Sequence, residues 1–235
     1  MDNLYLKALA VSKSLKYTKS NKLADKGFSF PYLKYRLLRP FLKLYTKFLL
    51  RKYNPAPWTS PASVNIFDQL LTKDMTGLEY GSGRSTLFFA ERLGKLTSIE
   101  HHEGWYNQVV DLLKKHNINN TEYKLVKPGE LCNQDWPFYE KFNITPKGLH
   151  VKSRYKEYFE IVNAYPDEYF DFVLIDGRAR MECALNAIPK VRKQGMLVLD
   201  NSERSRYKPI FNVLKDWPVV KTTNGLTDTT IWFKP

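Results

Sequence analysis

The stretch Met75-Thr-Gly-Leu-Glu-Tyr-Gly-Ser-Gly-Arg-Ser-Thr86 decides the fold. Its first six residues predict a short strand, Gly81 and Gly83 a turn, and the residues that follow a helix. Glycine permits a positive φ and lets a ligand approach the backbone closely. The hydroxyls of Ser85 and Thr86 and the free N–H groups of the helix start favour a carboxylate at this position. The stretch therefore predicts a strand-turn-helix unit that binds a ligand.

Two acids accompany this turn. Glu79 lies two residues before Gly81, where its carboxylate can accept a hydrogen bond from an ammonium, so an amino-acid-like ligand suits the turn. Glu100 ends the next predicted strand, 21 residues after Glu79, a spacing at which a carboxylate can accept both ribose hydroxyls. A dinucleotide site would have Gly or Ala where Thr86 stands, which disfavours a nicotinamide or flavin enzyme.

Strands and helices alternate on both sides of this unit. The further predicted strands are Leu96–Glu100, Thr121–Val126, Phe170–Asp176, Gly195–Asp200, Val219–Lys221 and Thr229–Phe233. The predicted helices of the body are Ala62–Leu71, Arg84–Leu93, Gly104–His116, Val151–Ala164, Ala179–Arg192 and Arg204–Lys215, and Lys127–His150 reads as irregular. This alternation predicts an α/β fold with a doubly wound, mostly parallel sheet and ligands at the carboxyl ends of its strands.

Composition excludes several classes of protein. The 235 residues are 43% apolar and 14% aromatic, enough for one sizeable core, so disorder is excluded as the whole answer. We expect neither a membrane-spanning nor a secreted protein, because no long uncharged apolar run occurs and Met1–Tyr17 lacks the zones of a signal peptide. Cys132 and Cys183 lie in no disulfide or zinc pattern. The expected location is the cytoplasm, with contact at the inner membrane surface as a further option.

The net charge of +13 is concentrated at one end of the chain. Residues 1–58 hold 13 Lys and Arg against two acids, whereas residues 59–235 hold 24 against 22. We therefore predict a basic, partly helical N-terminal extension (1–58) and a working domain (59–235), joined through an extended, proline-rich linker at Asn54–Pro61.

The segment Phe30–Tyr53 of this extension carries seven Lys and Arg and no acid. Its cations recur at helical spacing with apolar residues on the opposite side, and Pro40 is expected to break or kink the helix. Three interpretations stay open: a helix packed on the body with a solvated basic face, a helix on a membrane surface, or contact with nucleic acid, which we consider less favoured.

The chain resembles the class I S-adenosylmethionine-dependent methyltransferases over about residues 59–235. Glu79-Tyr-Gly-Ser-Gly83 resembles their first motif, and Ile99-Glu100 resembles their ribose-binding acid. The resemblance implies a Rossmann-like, seven-stranded sheet with an antiparallel C-terminal hairpin, and S-adenosylmethionine as cofactor. It places Glu100 at the ribose and His101 beside the adenine. The residue that binds the adenine amino group is expected after the third strand, within the irregular stretch Lys127–His150, where the sequence does not identify it. The cofactor-binding set is Glu79, Gly81, Ser82, Gly83, Ser85, Thr86, Glu100 and His101.

A second group of polar residues follows the fourth and fifth predicted strands. Asp176 ends one strand and Asp200-Asn201 the next, so topology brings them together near the glycine turn. Their hard oxygen ligands suit Mg²⁺ or Mn²⁺, which would lower the pKa of a substrate hydroxyl; the alternative is a metal-free site with Asp176 or Asp200 as base. The pattern resembles the divalent-metal-dependent O-methyltransferases, in which such residues hold the ion.

The residues that follow Asp176 and Asp200 depart from that pattern, because they are rich in cations. In this respect the sequence more closely resembles methyltransferases associated with bacterial glycan clusters. The expected acceptor-binding residues are Arg178, Arg180, Glu203, Arg204 and Tyr207. The arginines can grip a carboxylate or phosphate, or can form a structural web of ion pairs.

The sequence thus predicts an O-methyltransferase that acts on a hydroxyl of a saccharide or other acidic, polar small molecule. The alternatives are an RNA methyltransferase that uses the basic extension, and a non-catalytic protein of the same fold that binds a membrane or a partner. The oligomeric state stays open.

Overall fold

The computed structural model describes residues 3–14, 30–130, 139–144 and 153–235. Cys132, most of the irregular Lys127–His150 stretch and the first residues of the predicted helix Val151–Ala164 therefore lie outside the described residues.

One seven-stranded sheet organises the chain, in the strand order β3-β2-β1-β4-β5-β7-β6. The strands are β1 (Thr76–Tyr80), β2 (Lys95–Glu100), β3 (Thr121–Leu125), β4 (Phe170–Ile175), β5 (Val191–Asp200), β6 (Val219–Thr223) and β7 (Asp228–Phe233). Neighbouring strands from β3 to β5 are parallel, and β7 runs antiparallel to both β5 and β6. The predicted doubly wound sheet and its antiparallel C-terminal hairpin are confirmed.

Helices cover both faces of this sheet. They are α1 (Leu4–Ser14), α2 (Phe30–Leu50), α3 (Pro61–Leu70), α4 (Arg84–Ala90), α5 (Glu103–Lys115), α6 (Lys156–Glu160), α7 (Arg180–Ala187) and α8 (Lys208–Val213). Alternate residues of a strand point to opposite faces, so Phe172 and Leu174 pack with α3 and α4, and Val173 and Ile175 with α6 and α7. Burial on both faces explains the continuous apolar run of β4.

The register of the central strands sets the level at which they end. Tyr80 pairs with Ile99 on one side and with Ile175 on the other, and Ile175 pairs with Leu199. The next residue of each strand is Gly81, Glu100, Asp176 or Asp200. Because the four strands are parallel, these four residues form the next row and lie together at the carboxyl edge of the sheet.

Some predicted boundaries are wrong. The predicted helix Ala179–Arg192 ends as α7 at Ala187, and β5 already begins at Val191 rather than at Gly195. Pro189 explains the early end, since it has no backbone N–H to continue the helical hydrogen bonds, and a short 3₁₀ turn, Ile188–Lys190, follows α7. Similarly, the predicted helix Arg204–Lys215 is the 3₁₀ turn Ser205–Tyr207 followed by the shorter α8.

Pro40 does not break the basic helix, because α2 is continuous from Phe30 to Leu50. The carbonyl that loses its partner is that of Arg36, and residues 36–41 are exposed, so water can satisfy it. No helix in the described ranges is long and apolar enough to cross a membrane.

The first helix of the N-terminal extension packs on the body. Ala8 is fully buried in the core cluster that includes α3, and the ring of Tyr5 lies 5.5 Å from that of Phe233 on β7. Part of the extension thus covers one face of the sheet, while the division of the chain at residue 58 stays a prediction.

The packing of α1 can be tested with one pair of variants. Ala8→Asp places a charge in the core and is expected to lower the free energy of unfolding by about 3 kcal/mol. Ala10→Asp, on the exposed side of the same helix, is the matched control and is expected to change it by less than about 0.5 kcal/mol. Urea denaturation measures both, and equal effects of the two variants would show that α1 does not dock.

Candidate active site

A cavity of about 570 Å³ opens at the carboxyl edge of the sheet. It lies beside β1, at the point where the strand order reverses, which is the expected ligand position in such sheets. Its lining residues are Gly81, Ser82, Glu100, His101, His102, Trp105, Asp176, Gly177, Arg178, Ala179, Arg180, Met181, Glu182, Arg204, Arg206 and Tyr207.

The glycine turn after β1 touches the loop after β4. Gly81 has φ +90° and donates its N–H to the carbonyl of Ile99 at 2.9 Å. A Cβ atom at Gly81 would lie 2.7 Å from the backbone of Gly177, and one at Gly177 would lie 2.1 Å from the hydroxyl of Tyr158. Glycine is therefore required at both positions, and the contact brings the turn against the loop that carries Asp176.

Glu79 lies under the turn, fully buried. Its Oε2 accepts hydrogen bonds from Thr86 Oγ1 and Ser98 Oγ, both at 2.7 Å, whereas Oε1 has no partner among the described residues. Burial raises the pKa of Glu79 to about 7, although hydrogen bonds from Ser85, Thr86 and Ser98 oppose the shift. Thr86 Oγ1 also accepts from the N–H of Gly83 at 2.9 Å, so this residue holds the turn in shape. The unpartnered Oε1 is a buried acceptor beneath the turn.

Glu100 is held by donors on both carboxylate oxygens. Ser82 donates from N and Oγ to Oε2, at 3.1 and 3.0 Å, and the N–H groups of His101 and His102 donate to Oε1, each at 2.8 Å. Burial opposes its ionisation, but the hydrogen bonds from His101 and His102 outweigh it and hold the pKa of Glu100 below its usual value. The carboxylate is therefore an ionised acceptor at the cavity wall.

Aromatic rings form the wall next to Glu100. The indole of Trp105 lies against Gly83 and donates from Nε1 to the carbonyl of Ser82 at 2.7 Å. On the other side, the ring of His101 lies 5.6 Å from that of Tyr155 and 5.7 Å from that of Tyr158, edge to face. These rings give the cofactor side of the cavity flat, apolar surfaces of the kind that a base can stack on.

The acids after β4 and β5 meet across the guanidinium of Arg180. Its Nη2 lies 2.7 Å from Asp176 Oδ1, its Nη1 lies 3.5 Å from Asp200 Oδ2, and Nη1 also donates to the Asp200 carbonyl. Asp200 Oδ1 accepts from Thr229 Oγ1 at 3.0 Å. The side chain of Asp176 is 23% exposed and lines the cavity, whereas that of Asp200 is 4% exposed and lies behind it. Only Asp176 is therefore placed to touch a ligand.

Both acids hold protons more strongly than usual. Burial and the charge of Asp176 raise the pKa of Asp200 to about 8, which Arg180 only partly offsets. Burial likewise raises the pKa of Asp176 against the opposing charge of Arg180. The pair therefore keeps a proton near neutral pH and can accept or release one in this range.

The predicted metal centre does not fit these side chains. Arg180 already supplies the cation between Asp176 and Asp200, and Asn201 Oδ1 accepts a hydrogen bond from Arg204 Nη2 at 2.8 Å. Among the residues that the structure describes, no group of three or more His, Cys, Asp or Glu side chains is arranged to hold a metal ion.

Three further arginines line the cavity. Arg178 and Arg206 form no ion pair with any described residue, although Arg206 lies 5.0 Å above the ring of Tyr207. Arg204 binds Asn201 and lies 3.9 Å from Glu203. The acids that line the cavity are already bonded: Glu100 to backbone N–H groups, Asp176 to Arg180 and Glu182 to Tyr139. The lining contains four arginines against three acids, so its formal charge is positive.

The structure brings together most of the predicted site residues. Those that line the cavity are Gly81, Ser82, Glu100, His101, Asp176, Arg178, Arg180, Arg204 and Tyr207. Those that lie outside the lining are Glu79, Gly83, Ser85, Thr86, Asp200, Asn201 and Glu203, and they support it from behind or beside it. Glu203, for example, accepts from the N–H of Asp228 at 3.0 Å and so anchors the loop after β5.

Sequence reasoning left out four cavity residues that carry polar groups or shape the loops. They are His102, Gly177, Glu182 and Arg206. Gly177 directly follows Asp176 and Arg206 stands next to Tyr207, so adjacency to a chosen residue was the available signal for both.

Comparisons with known proteins place this fold. Neither the protein-family models nor the curated protein sequences gave a match. Among solved structures, a protein assigned as a methyltransferase from Streptococcus mutans, in complex with SAH, is 13% identical, with 72% of this chain and 93% of that chain covered and a TM-score of 0.50. A methyltransferase-like protein from Silicibacter pomeroyi is 23% identical, with 68% and 79% covered and a TM-score of 0.45. A SAM-dependent methyltransferase from Aquifex aeolicus is 13% identical, with 83% and 96% covered and a TM-score of 0.43.

The likeness to the Streptococcus mutans structure shows that the chain shares its Rossmann-like fold. At such identities the likeness concerns the fold, and what the cavity does is argued from its own residues.

The raised pKa of Asp200 predicts how stability depends on pH. The folded state keeps this proton up to about pH 8, and the unfolded state loses it near pH 3.8. The folded state thus binds more protons within this window, so the free energy of unfolding falls as the pH rises through it. The variant Asp200→Asn has no carboxyl group to titrate here, so its free energy of unfolding does not fall in this way. The difference between the variant and the wild type is therefore expected to shift in favour of the variant from pH 5 to pH 8, as measured by thermal unfolding. Asp111→Asn, exposed on α5, is the control and should show no such trend.

Proposed function

We propose that this protein is an S-adenosylmethionine-dependent methyltransferase that methylates a hydroxyl of an anionic saccharide or other acidic small molecule. The observation that carries the proposal is the arrangement of the cavity at the carboxyl edge of the sheet. The glycine turn and Glu100 form one side of it, and Asp176 with a set of arginines forms the other.

The cofactor side fits an adenosyl amino acid. Gly81 presents only backbone to the cavity, Glu100 presents an ionised carboxylate for ribose hydroxyls, and Glu79 keeps a buried, unpartnered oxygen beneath the turn. The rings of His101 and Trp105 supply surfaces for the adenine. When bound, S-adenosylmethionine supplies an electrophilic sulfonium methyl group.

The acceptor side fits an anion. Arg178 and Arg206 have no acid to neutralise them among the described residues, and the acids of the cavity are bonded elsewhere. A guanidinium binds a carboxylate or phosphate through two parallel hydrogen bonds, and several arginines around one mouth orient such a group. An acidic sugar or a sugar phosphate meets both this charge and the polar character of the cavity.

Asp176 is the candidate base for the hydroxyl. An alcohol becomes a good nucleophile only when its proton is removed, and a base with a pKa near the working pH does this best. Asp176 lines the cavity and has a raised pKa. The Nη2 atom of Arg180 lies 2.7 Å from Asp176 Oδ1, and the guanidinium offsets the charge of the Asp176–Asp200 pair. Arg180 and Asp200 therefore act as positioning residues for the Asp176 carboxylate.

The cofactor assignment is tested by binding. Glu100→Gln is expected to weaken the binding of S-adenosylhomocysteine by about 10- to 100-fold, because a charged acceptor of hydrogen bonds is lost. Isothermal titration calorimetry measures the affinity, and Glu91→Gln, exposed at the end of α4, is the control. An unchanged affinity for Glu100→Gln, in a protein whose thermal transition is intact, would remove Glu100 from the site.

The acceptor assignment is tested by transfer of a radiolabelled methyl group to a panel of saccharides. We expect uronic acids or sugar phosphates to be methylated and their neutral counterparts not to be. Asp176→Asn should lower kcat by about 100-fold or more, the range of general base catalysis. Arg178→Gln with Arg206→Gln should instead raise the KM for the anionic acceptor with little change in kcat. Equal transfer to neutral sugars, or a double arginine variant with an unchanged KM, would contradict the anionic acceptor.

A further inference from the structure

Among the side chains that the structure describes, those that attach the helix α2 to the body lie toward its C-terminal end. Leu50 and Tyr53 pack on the core cluster that includes α3, and the Tyr53 hydroxyl donates to Asn65 Oδ1 at 2.5 Å. Every residue from 36 to 41 is exposed, and toward the body only Leu42 and Thr46 become half-buried before the last turn. Most of the helix therefore faces outward from the fold.

One side of α2 is an exposed apolar stripe. Its members recur at steps of three or four residues and so lie above one another on the helix. They are Leu33, Leu37, Phe41, Leu44 and Phe48, each at least 54% exposed. Phe30, Leu38 and Tyr45 widen the stripe and are exposed as well. Such a contiguous patch marks an interaction surface.

The cations of α2 lie on a separate arc. Arg36, Arg39, Lys43 and Lys47 share one side of the helix at the same helical steps, and no acid occurs between residues 30 and 53. None of these four forms an ion pair with a described acid, so their charge is available to a partner. The helix thus offers apolar side chains and unneutralised cations together.

We propose that α2 is a membrane-surface helix that binds anionic lipid, with its apolar stripe in the headgroup boundary and its cations on the lipid phosphates. This combination of one apolar side, a strongly basic polar side and no acid is what an interfacial helix requires. A helix with this many charges does not cross the bilayer, in agreement with the absence of a spanning helix in the described ranges.

The charge and the apolar stripe of α2 together favour anionic lipid over a second copy of α2 or nucleic acid. A second copy of α2 packed on the stripe would bring two sets of like charges together with no acid to offset them. Nucleic acid would satisfy the cations but would leave the leucines and phenylalanines of the stripe in water. Anionic lipid satisfies both features at once.

The C-terminal end of α2 leads to the edge of the sheet at which the cavity opens. Asn54, just beyond the helix, accepts a hydrogen bond from Arg84, the first residue after the glycine turn. Ser60, at the end of the same linker, donates its N–H to Thr229, which in turn binds Asp200. Attachment through α2 therefore brings the cavity edge, rather than the opposite end of the sheet, close to the lipid surface.

Vesicle sedimentation of the full chain tests the proposal without any assay of methyl transfer. We expect binding to vesicles of phosphatidylcholine with phosphatidylglycerol and little binding to phosphatidylcholine alone. Arg39→Gln with Lys43→Gln and Lys47→Gln should lower the partition coefficient by about 100-fold, since each cation near an anionic surface contributes a several-fold gain. The control removes the same charge elsewhere, with Lys114→Gln, Lys115→Gln and Lys193→Gln, which are exposed on the body.

The stripe is tested separately. Phe41→Ser with Leu44→Ser and Phe48→Ser should abolish sedimentation with the vesicles while the net charge stays the same. Leu6→Ser with Trp58→Ser, two exposed apolar residues outside α2, should not change it. Circular dichroism checks that each variant is folded.

Three results would overturn the proposal. One is an equal loss of vesicle binding in the triple variant of α2 and in the triple lysine variant of the body, which would mean that only the net charge of the protein matters. Another is a dimer in sedimentation velocity that the stripe variant dissociates, with no vesicle binding. The third is tight, salt-sensitive binding of an RNA oligonucleotide in the absence of vesicle binding. None of these results depends on whether the cavity transfers a methyl group, so the two proposals fail independently.

Discussion

The in-register parallel pairing of β2, β1, β4 and β5 is the constraint on which the site depends. Because Tyr80, Ile99, Ile175 and Leu199 pair in one row, each strand releases its chain at the same height. A shift of one residue between β1 and either of its neighbours would turn side chains to the opposite face and change the position of Glu100 relative to Asp176. Apolar burial on both faces of β4 and β5 specifies that register.

Arg180 resolves the electrostatic problem that this convergence creates. Two carboxylates, Asp176 and Asp200, meet in a buried place where both cannot be ionised freely. The guanidinium binds one, approaches the other and also caps the carbonyls of Asp176, Gly177 and Asp200. It thereby neutralises the acids and fixes the two strand ends to the start of α7. The acidic pair and its cation form one unit.

Much of this was readable from the sequence, for local reasons. The glycine turn, Glu79 and Glu100 could be predicted because their roles follow from spacing along neighbouring strands. The end of α7 could not be placed correctly, although Pro189 was the signal. The choice between a metal and a metal-free site could not be made from the sequence for a different reason: Arg180 stands four residues after Asp176, but its approach to Asp200 depends on tertiary packing. A distance across two strands is not encoded in a linear spacing.

The interpretation of α2 likewise depended partly on linear spacing and partly on tertiary packing. The basic and apolar sides of residues 30–53 follow from helical periodicity, but whether the apolar side was covered by the body depended on the fold. Only the structure shows the stripe exposed and α1, by contrast, packed through Ala8.

The backbone contact between Gly81 and Gly177 has a mechanical consequence. The two loops touch with no room for a side chain between them, so this contact sets the spacing between the halves of the cavity. Arginines on the acceptor half can then be exchanged in evolution or by engineering to recognise a new molecule while the reacting centres keep their separation.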